Sequence, residues 1–208
     1  MILLPNYPRL ERLSRSSPDL SRAMTMLPIL YGPKMRLSGR RITDHCFETA
    51  EILAGYTTNP SYLKTALFHD LCEDLGLSSE DVKEISGHDG ARISQMVTIL
   101  SKRADLKNSE DRAGEYFDRL SKAIVDGYHG VGLMKLCDRL SNMLDLHYHR
   151  PDKRRTICYQ TLNFYVPMAF YLGLNGLGNH LRRLSLLHIR HCPRVGRTIN
   201  VENWKFGL

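Results

Sequence analysis

The sequence predicts an all-α fold. Apolar residues recur at helical spacing in window after window, and no window alternates at period two for long enough to make a strand. Proline, glycine and cap-forming residues punctuate the chain at intervals of a helix length. With 208 residues, 42% of them hydrophobic and 25% charged, the chain can bury a sizeable core.

Taken in order, residues 1–35 carry five of the nine prolines, at positions 5, 8, 18, 28 and 33. Each fixes φ and restricts the residue before it, so only short helical pieces are expected there, around 19–26. Thr43 or Asp44 caps a helix carrying Phe47, Ala50, Ile52 and Leu53. Asn59-Pro60 opens the next, with Leu63, Ala66 and Leu67 inward, running to about Glu73. Ser78-Ser79-Glu80-Asp81 reads as a further N-terminus, its acids suited to the helix dipole. His88-Asp89-Gly90 separates that piece from a helix over 91–103. Ser109 to Val125 forms another, closed by Gly127 and Gly130. Gly132 to about His147 follows, with Leu133, Leu136, Leu140 and Met143 on one side. Pro151 starts a long helix to about Leu172, where Gly173 supplies the cap. The last helix spans about Gly178 to Ile189.

Composition narrows the class of protein. The longest apolar runs fall far short of the roughly 18 residues of a membrane span. Met1-Ile2-Leu3-Leu4-Pro5 lacks a basic start and a long apolar stretch, so no signal peptide is expected. Five cysteines without a C-x-x-C pair fit a reducing, cytoplasmic setting. The formal net charge of +7 is uneven: residues 1–44 hold 8 basic against 3 acidic, 149–208 hold 10 against 2, and 45–148 hold 11 against 17. An acidic centre between basic ends argues against a nucleic-acid binder with one basic stripe. It suits equally a metal-holding core whose edges attract a phosphorylated ligand and an ordinary solvated surface, and charge alone does not choose between them.

The chemistry concentrates in Leu67-Phe68-His69-Asp70-Leu71-Cys72-Glu73-Asp74. On one helix, His69 would lie above Glu73 and Asp70 above Asp74. So many acids beside Leu67, Phe68 and Leu71 are costly unless a cation or protein donors compensate. A His–Asp pair with further ligands nearby is how a helical protein builds a divalent metal site. His45, upstream, and Asp138, which shares a face with Asn142, are the candidates for those further ligands.

The order His45, His69-Asp70, Asp138 resembles the HD superfamily of metal-dependent phosphohydrolases. The likeness sharpens toward the hydrolase domain of the Rel/SpoT family of (p)ppGpp enzymes. Arg36-Leu37-Ser38-Gly39 followed by His45 resembles its R-x-S-G…H opening. Leu67 to Asp74 is similar to its L-L-H-D-x-x-E-D, and Lys135 to Met143 to its K-L-A-D-R-L-x-N-M. Thr161 to Leu172-Gly173 resembles the segment that follows the hydrolase core in the long enzymes. The resemblance covers about 36–185 and implies a hydrolase domain over 36–189. That leaves the partly helical, Pro-rich segment 1–35 before it and a tail over 190–208.

Carried over residue by residue, the resemblance implies His45, His69, Asp70 and Asp138 as ligands of one metal ion, usually Mn²⁺. It makes Glu73 and Asp74 the acids that position and deprotonate the attacking water. Arg36 would stack on the base, Ser38 would line its pocket, and Asn142 would hold the ribose or a phosphate. The implied partner is a small nucleotide, without membrane or nucleic acid. The implied reaction removes the 3′-pyrophosphate of guanosine 3′,5′-polyphosphates.

Departures from the family pattern fall near the nucleotide pocket. Gly39-Arg40-Arg41-Ile42 replaces G-E-P-Y, Cys46 stands for the usual Pro, and Leu144-Asp145 stand for Arg-Thr. An adenosine analogue, (p)ppApp, therefore stays open as substrate, as do another nucleotide and a catalytically silent sensor. The synthetase domain of the long enzymes is not expected in this chain. Elsewhere the plain readings prevail: Cys72 and Cys137 as small buried thiols, Arg139 as a brace for an acid, and His147, His149 and Cys158 as an exposed helix end. Arg150, Lys153, Arg154 and Arg155 read as a solvated helix start, and Tyr159, Phe164, Tyr165 and Phe170 as packing.

Overall fold

In the computed structural model, which describes residues 7–101, 109–192 and 206, helices account for almost all regular structure. Among the described residues the one β-bridge joins Met35 to Arg41. The chain divides into two compact units, Met1–Ser101 and Lys102–Leu208. No helix among the described residues is long and apolar enough to cross a membrane.

The first unit opens with α1 (Pro8–Ser14) and α2 (Pro18–Tyr31), each with proline in its first turn, where the missing N–H costs nothing. The second helix is longer than the expected 19–26 because Pro28 does not end it. Leu20, Ala23, Leu27 and Tyr31 form one buried stripe through that point, and their packing outweighs the lost hydrogen bond in the last turn. Next come α3 (Ile42–Leu53) and α4 (Pro60–Phe68), which pack on each other and on α2. The Asp44 carboxylate accepts from the Arg41 N–H at 3.2 Å and closes the start of α3.

After α4 the helix breaks, one of the places where the expected 60–73 helix is corrected. His69 stays helical, but Asp70 sits at φ −100°, ψ 1°, and a short helix α5 (Leu71–Leu75) follows. The His69 Nδ1 donates to the Ala66 carbonyl at 2.8 Å, capping one of the carbonyls the ending helix exposes. Then come α6 (Ser79–Ser86), a 3₁₀ turn at Gly87–Asp89, and α7 (Gly90–Leu100). Ser78 caps α6 as its sequence promises, accepting from Asp81 N at 3.1 Å. The chain turns back so tightly between these helices that a Cβ on Gly90 would collide with the Lys83 carbonyl. Buried Lys64 ties the unit together, donating to Ser86 O at 3.1 Å, with Asp19 and Asp89 each 3.9 Å from its ammonium.

In the second unit, α8 (Ser109–Val125) and α9 (His129–Leu144) pack as a hairpin. The second of these starts earlier than the expected Gly132, and both Gly130 and Gly132 lie inside it. A side chain at Gly132 would meet Leu172 at 2.9 Å and Ile124 at 3.0 Å, so close packing explains the glycine. A 3₁₀ turn, Leu146–Tyr148, leads to the helix expected from Pro151 to about Leu172. It is continuous but not uniform: α10 (Pro151–Gln160) passes through a π turn, Thr161–Tyr165, into α11 (Val166–Tyr171). Pro167 has no N–H to continue the ladder, and Val166 N reaches back five residues to Thr161 O. Asn163 Nδ2 donates to Tyr159 O at 2.8 Å, satisfying a carbonyl the irregular turn frees. Gly173, at φ 72°, turns the chain into α12 (Asn175–Arg190), which packs on α10 and α11. Most of the proposed 190–208 tail lies outside the described residues. Of it, Phe206 rests edge-on against Phe164, ring centroids 5.6 Å apart.

Candidate metal centre

Three of the residues singled out in the sequence meet in the first unit. His45 on α3 is 3% exposed, His69 at the end of α4 is 1% exposed, and Asp70 follows at the break. One ligand atom from each lies within 4.8 Å of the others. Asp70 Oδ2 is 3.1 Å from His69 Nε2 and 3.9 Å from His45 Nε2. The two imidazoles meet edge-on with centroids 5.4 Å apart.

The packing of α3 on α4 brings His45 to His69. The backbone change at Asp70 redirects only the chain that follows it, into α5. Because Ala66 O can only accept, His69 Nδ1 carries a proton, and in the neutral ring Nε2 presents a lone pair. A lone pair and a carboxylate oxygen 3.1 Å apart repel unless a cation or a proton lies between them. Two imidazoles and a carboxylate so arranged fit a divalent metal ion. The Nδ1–carbonyl bond is the outer contact that commonly fixes a metal-binding imidazole.

Glu73 and Asp74 lie on α5, within five residues of the cluster. Both residues are exposed, but the Asp74 carboxyl has lost enough water to lie above the ordinary carboxylate range, and the nearby Asp70 charge pushes the same way. The Tyr31 hydroxyl and His69 oppose that rise. Lys34 Nζ donates to the backbone carbonyl of Asp74 at 3.0 Å and ties the segment after α2 to α5.

The R-x-S-G motif forms a tight turn between α2 and α3. Arg36 N donates to Arg40 O at 2.8 Å, Gly39 N to Arg36 O at 3.0 Å, and Gly39 takes φ 78°. That left-handed glycine, followed by the Met35–Arg41 bridge, has the form of a turn with a G1 bulge. The glycine is therefore needed by the backbone. Arg36 and Ser38 are half-buried, and Leu37 between them is 78% exposed.

In the second unit, Asp138 is 2% exposed on α9 and both of its oxygens are engaged. Lys135 Nζ lies 2.7 Å from Oδ2, and Asn142 Nδ2 donates to Oδ1 at 2.6 Å. Asn142 thus braces an acid. Arg139 places its guanidinium 4.1 Å from the Tyr165 ring centroid; burial opposes its charge, and Tyr165, then Asp138, outweigh that loss. Cys137 is buried, which pushes its thiol well above the usual range, whereas Cys72 is partly exposed. Cys158 is fully buried, unlike the exposed helix end expected for it, because it faces inward on α10 while His147 stays outside. Phe164 and Tyr165 pack as expected, whereas Phe170 is 41% exposed.

Two residues beside these acids are given no role from the sequence: Lys135 enters only as part of a motif, and Tyr31 not at all. Lys135 was detectable, since it sits three residues before Asp138 on a helix. Tyr31 shows in the sequence only as the last member of an apolar stripe, and nothing local reveals that its hydroxyl faces acids.

Residues 23–175 match the family of HD domains, and the chain belongs to that family, whose members are metal-dependent. Its relatives lie among the hydrolase domains of the Rel/SpoT proteins. The guanosine-3′,5′-bis(diphosphate) 3′-pyrophosphohydrolase of Vibrio cholerae is 34% identical over 152 residues, 72% of this chain and 21% of that protein. The bifunctional (p)ppGpp synthase/hydrolase SpoT of Escherichia coli is 33% identical over 150 residues, again 72% and 21%. GTP pyrophosphokinase rsh of Brucella ovis is 29% identical over 192 residues, 90% and 25%. The chain spans between a fifth and a quarter of the length of these curated relatives. A solved structure, described as a metazoan ortholog of SpoT that hydrolyzes ppGpp, shares the fold, with a TM-score of 0.59 at 20% identity. The match covers 84% of this chain and 96% of that one.

Proposed function

We propose that the chain is a metal-dependent pyrophosphohydrolase that removes the 3′-pyrophosphate from guanosine 3′,5′-polyphosphates, releasing GDP or GTP. The observation that carries this reading is the convergence of His45, His69 and Asp70 at the helix break, in a chain of the HD family. Relatives named for this activity support it.

On this reading Asp138 joins the cluster as a fourth ligand and Mn²⁺ is the ion. A divalent ion held there lowers the pKa of water and neutralises charge that develops on the phosphoryl oxygens. His69 is locked by its Nδ1 contact, so its Nε2 keeps one direction. Lys135 and Asn142 hold both oxygens of Asp138 in place before substrate arrives. Glu73 and Asp74 position the attacking water and one of them takes its proton; loss of water and the nearby Asp70 charge raise the Asp74 pKa, which strengthens it as a base. Arg36 and Ser38, on the turn before α3, meet the base, and Asn142 contacts the ribose or a phosphate.

The test is product analysis by anion exchange after incubation with ppGpp or ppApp, with Mn²⁺ or with EDTA. Metal-dependent appearance of pyrophosphate with GDP from ppGpp is expected. Faster release from ppApp would move the base preference to adenine, and no release from either would remove the reading.

A further inference from the structure

Tyr31 ends the buried stripe of α2 and is 2% exposed, and nothing lies at full hydrogen-bonding geometry to its hydroxyl, the Asp74 carboxyl being the side chain within reach. A buried hydroxyl without a full hydrogen bond is a standing cost that phenylalanine at the same place would not carry. Packing alone therefore does not account for tyrosine here. Burial first, then Cys46, Asp70 and Asp74 nearby, push its ionisation far above the usual phenol range. It stays a neutral O–H, whose use beside carboxylates is to donate a hydrogen bond.

Of the two acids, Asp70 is turned toward His69 Nε2 at 3.1 Å. Asp74 is the more exposed and has room to turn. Its backbone is already tethered to the segment following Tyr31, through Lys34 Nζ on the Asp74 carbonyl at 3.0 Å. That tether holds the tyrosine and the acid in register. Hydrogen bonds of catalytic groups are often unmade in the free protein and close only around the substrate.

We propose that Tyr31 is a positioning residue, whose hydroxyl donates to the Asp74 carboxylate when substrate is bound and fixes the oxygen that receives the water's proton. This rests on the reading of Asp74 as a water-activating acid.

The experiment compares wild type, Tyr31→Phe, Asp74→Ala and the double variant in pyrophosphate release from ppGpp with Mn²⁺. Mn²⁺ affinity and metal-free thermal unfolding are measured alongside. Tyr31→Phe is expected to lower kcat about 10- to 100-fold, the loss of one hydrogen bond to a charged group. KM and Mn²⁺ affinity should stay within about twofold, and the metal-free protein should melt no lower than wild type, because a poorly satisfied hydroxyl is gone. In the Asp74→Ala background the second change should have no further effect on kcat. Wild-type kcat in Tyr31→Phe, a loss explained by weaker Mn²⁺ binding, or an undiminished loss in the Asp74→Ala background would each overturn the assignment. Wild-type protein that releases no pyrophosphate would overturn the underlying reading, and the role of Tyr31 with it.

Discussion

Lys135 and Asp138 form a buried ion pair, Nζ to Oδ2 2.7 Å, with their side chains 8% and 4% exposed. The ammonium also lies 5.5 Å from the ring centroid of buried Tyr116. A charge pair out of water is held by mutual compensation, so removing one partner is far worse than removing both. Lys135→Met should destabilise the protein by about 3–5 kcal/mol. Lys135→Met with Asp138→Asn should recover more than half of that loss. Urea unfolding of the two variants checks this, and equal losses would show that the pair does not act as a unit.

Glu73→Gln separates catalysis from metal holding. Glu73 lies on α5 beyond the His69–Asp70 break, and the ligand cluster does not include it. The variant should bind Mn²⁺ like wild type while turnover falls about 10²- to 10⁴-fold, the usual range for a general acid or base. Loss of Mn²⁺ from Glu73→Gln, read by equilibrium dialysis, would instead make Glu73 a ligand.

Gly90→Ala tests the tight turn between α6 and α7. Its Cβ would run into the Lys83 carbonyl, a backbone atom that cannot swing aside. A destabilisation of about 1–3 kcal/mol is expected from overpacking. Gly114→Ala, whose Cβ meets nothing within 4 Å, is the control and should be neutral or stabilising.

His188 gives a pH dependence with a definite sign. Its Nε2 donates to Met143 O at 3.1 Å, and loss of water, with smaller contributions from Arg154, His147 and His191, lowers its pKa below the ordinary value. The unfolded chain then takes the proton more readily than the folded one. The stability this residue contributes is present above about pH 6.5 and is lost as pH falls from there. His188→Gln keeps a donor for Met143 O and should flatten the slope of stability against pH between about 5 and 6.5. An unchanged slope would exclude His188 as its source.

Much of this architecture is legible in the sequence, because helical periodicity and caps are local signals. Ser109 to Val125 is a helix at the expected bounds, and Ser78 caps where its side chain allows. What escapes is decided by packing or by one residue's ψ. Pro28 stays within α2 because a buried stripe passes through it, and Gly132 stays within α9 because Leu172 and Ile124 leave no room for a side chain. The break at Asp70 is hidden because Phe68-His69-Asp70-Leu71 carries neither proline nor glycine. His45, His69 and Asp70 could be named from order and residue type, but their convergence depends on how α3 packs on α4, which no local signal reveals. Tyr31 could not be named, since which way a hydroxyl on an apolar stripe points is settled by what packs around it.

The most direct test is to titrate metal-free protein with Mn²⁺, follow free ion by its paramagnetic resonance signal, and measure pyrophosphate release from ppGpp in the same samples. Metal-dependent hydrolysis at the His45–His69–Asp70 cluster requires one ion bound per chain and turnover that tracks occupancy, with both lost in Asp70→Ala. Full turnover in EDTA, or one bound Mn²⁺ per chain that Asp70→Ala leaves in place, would contradict it.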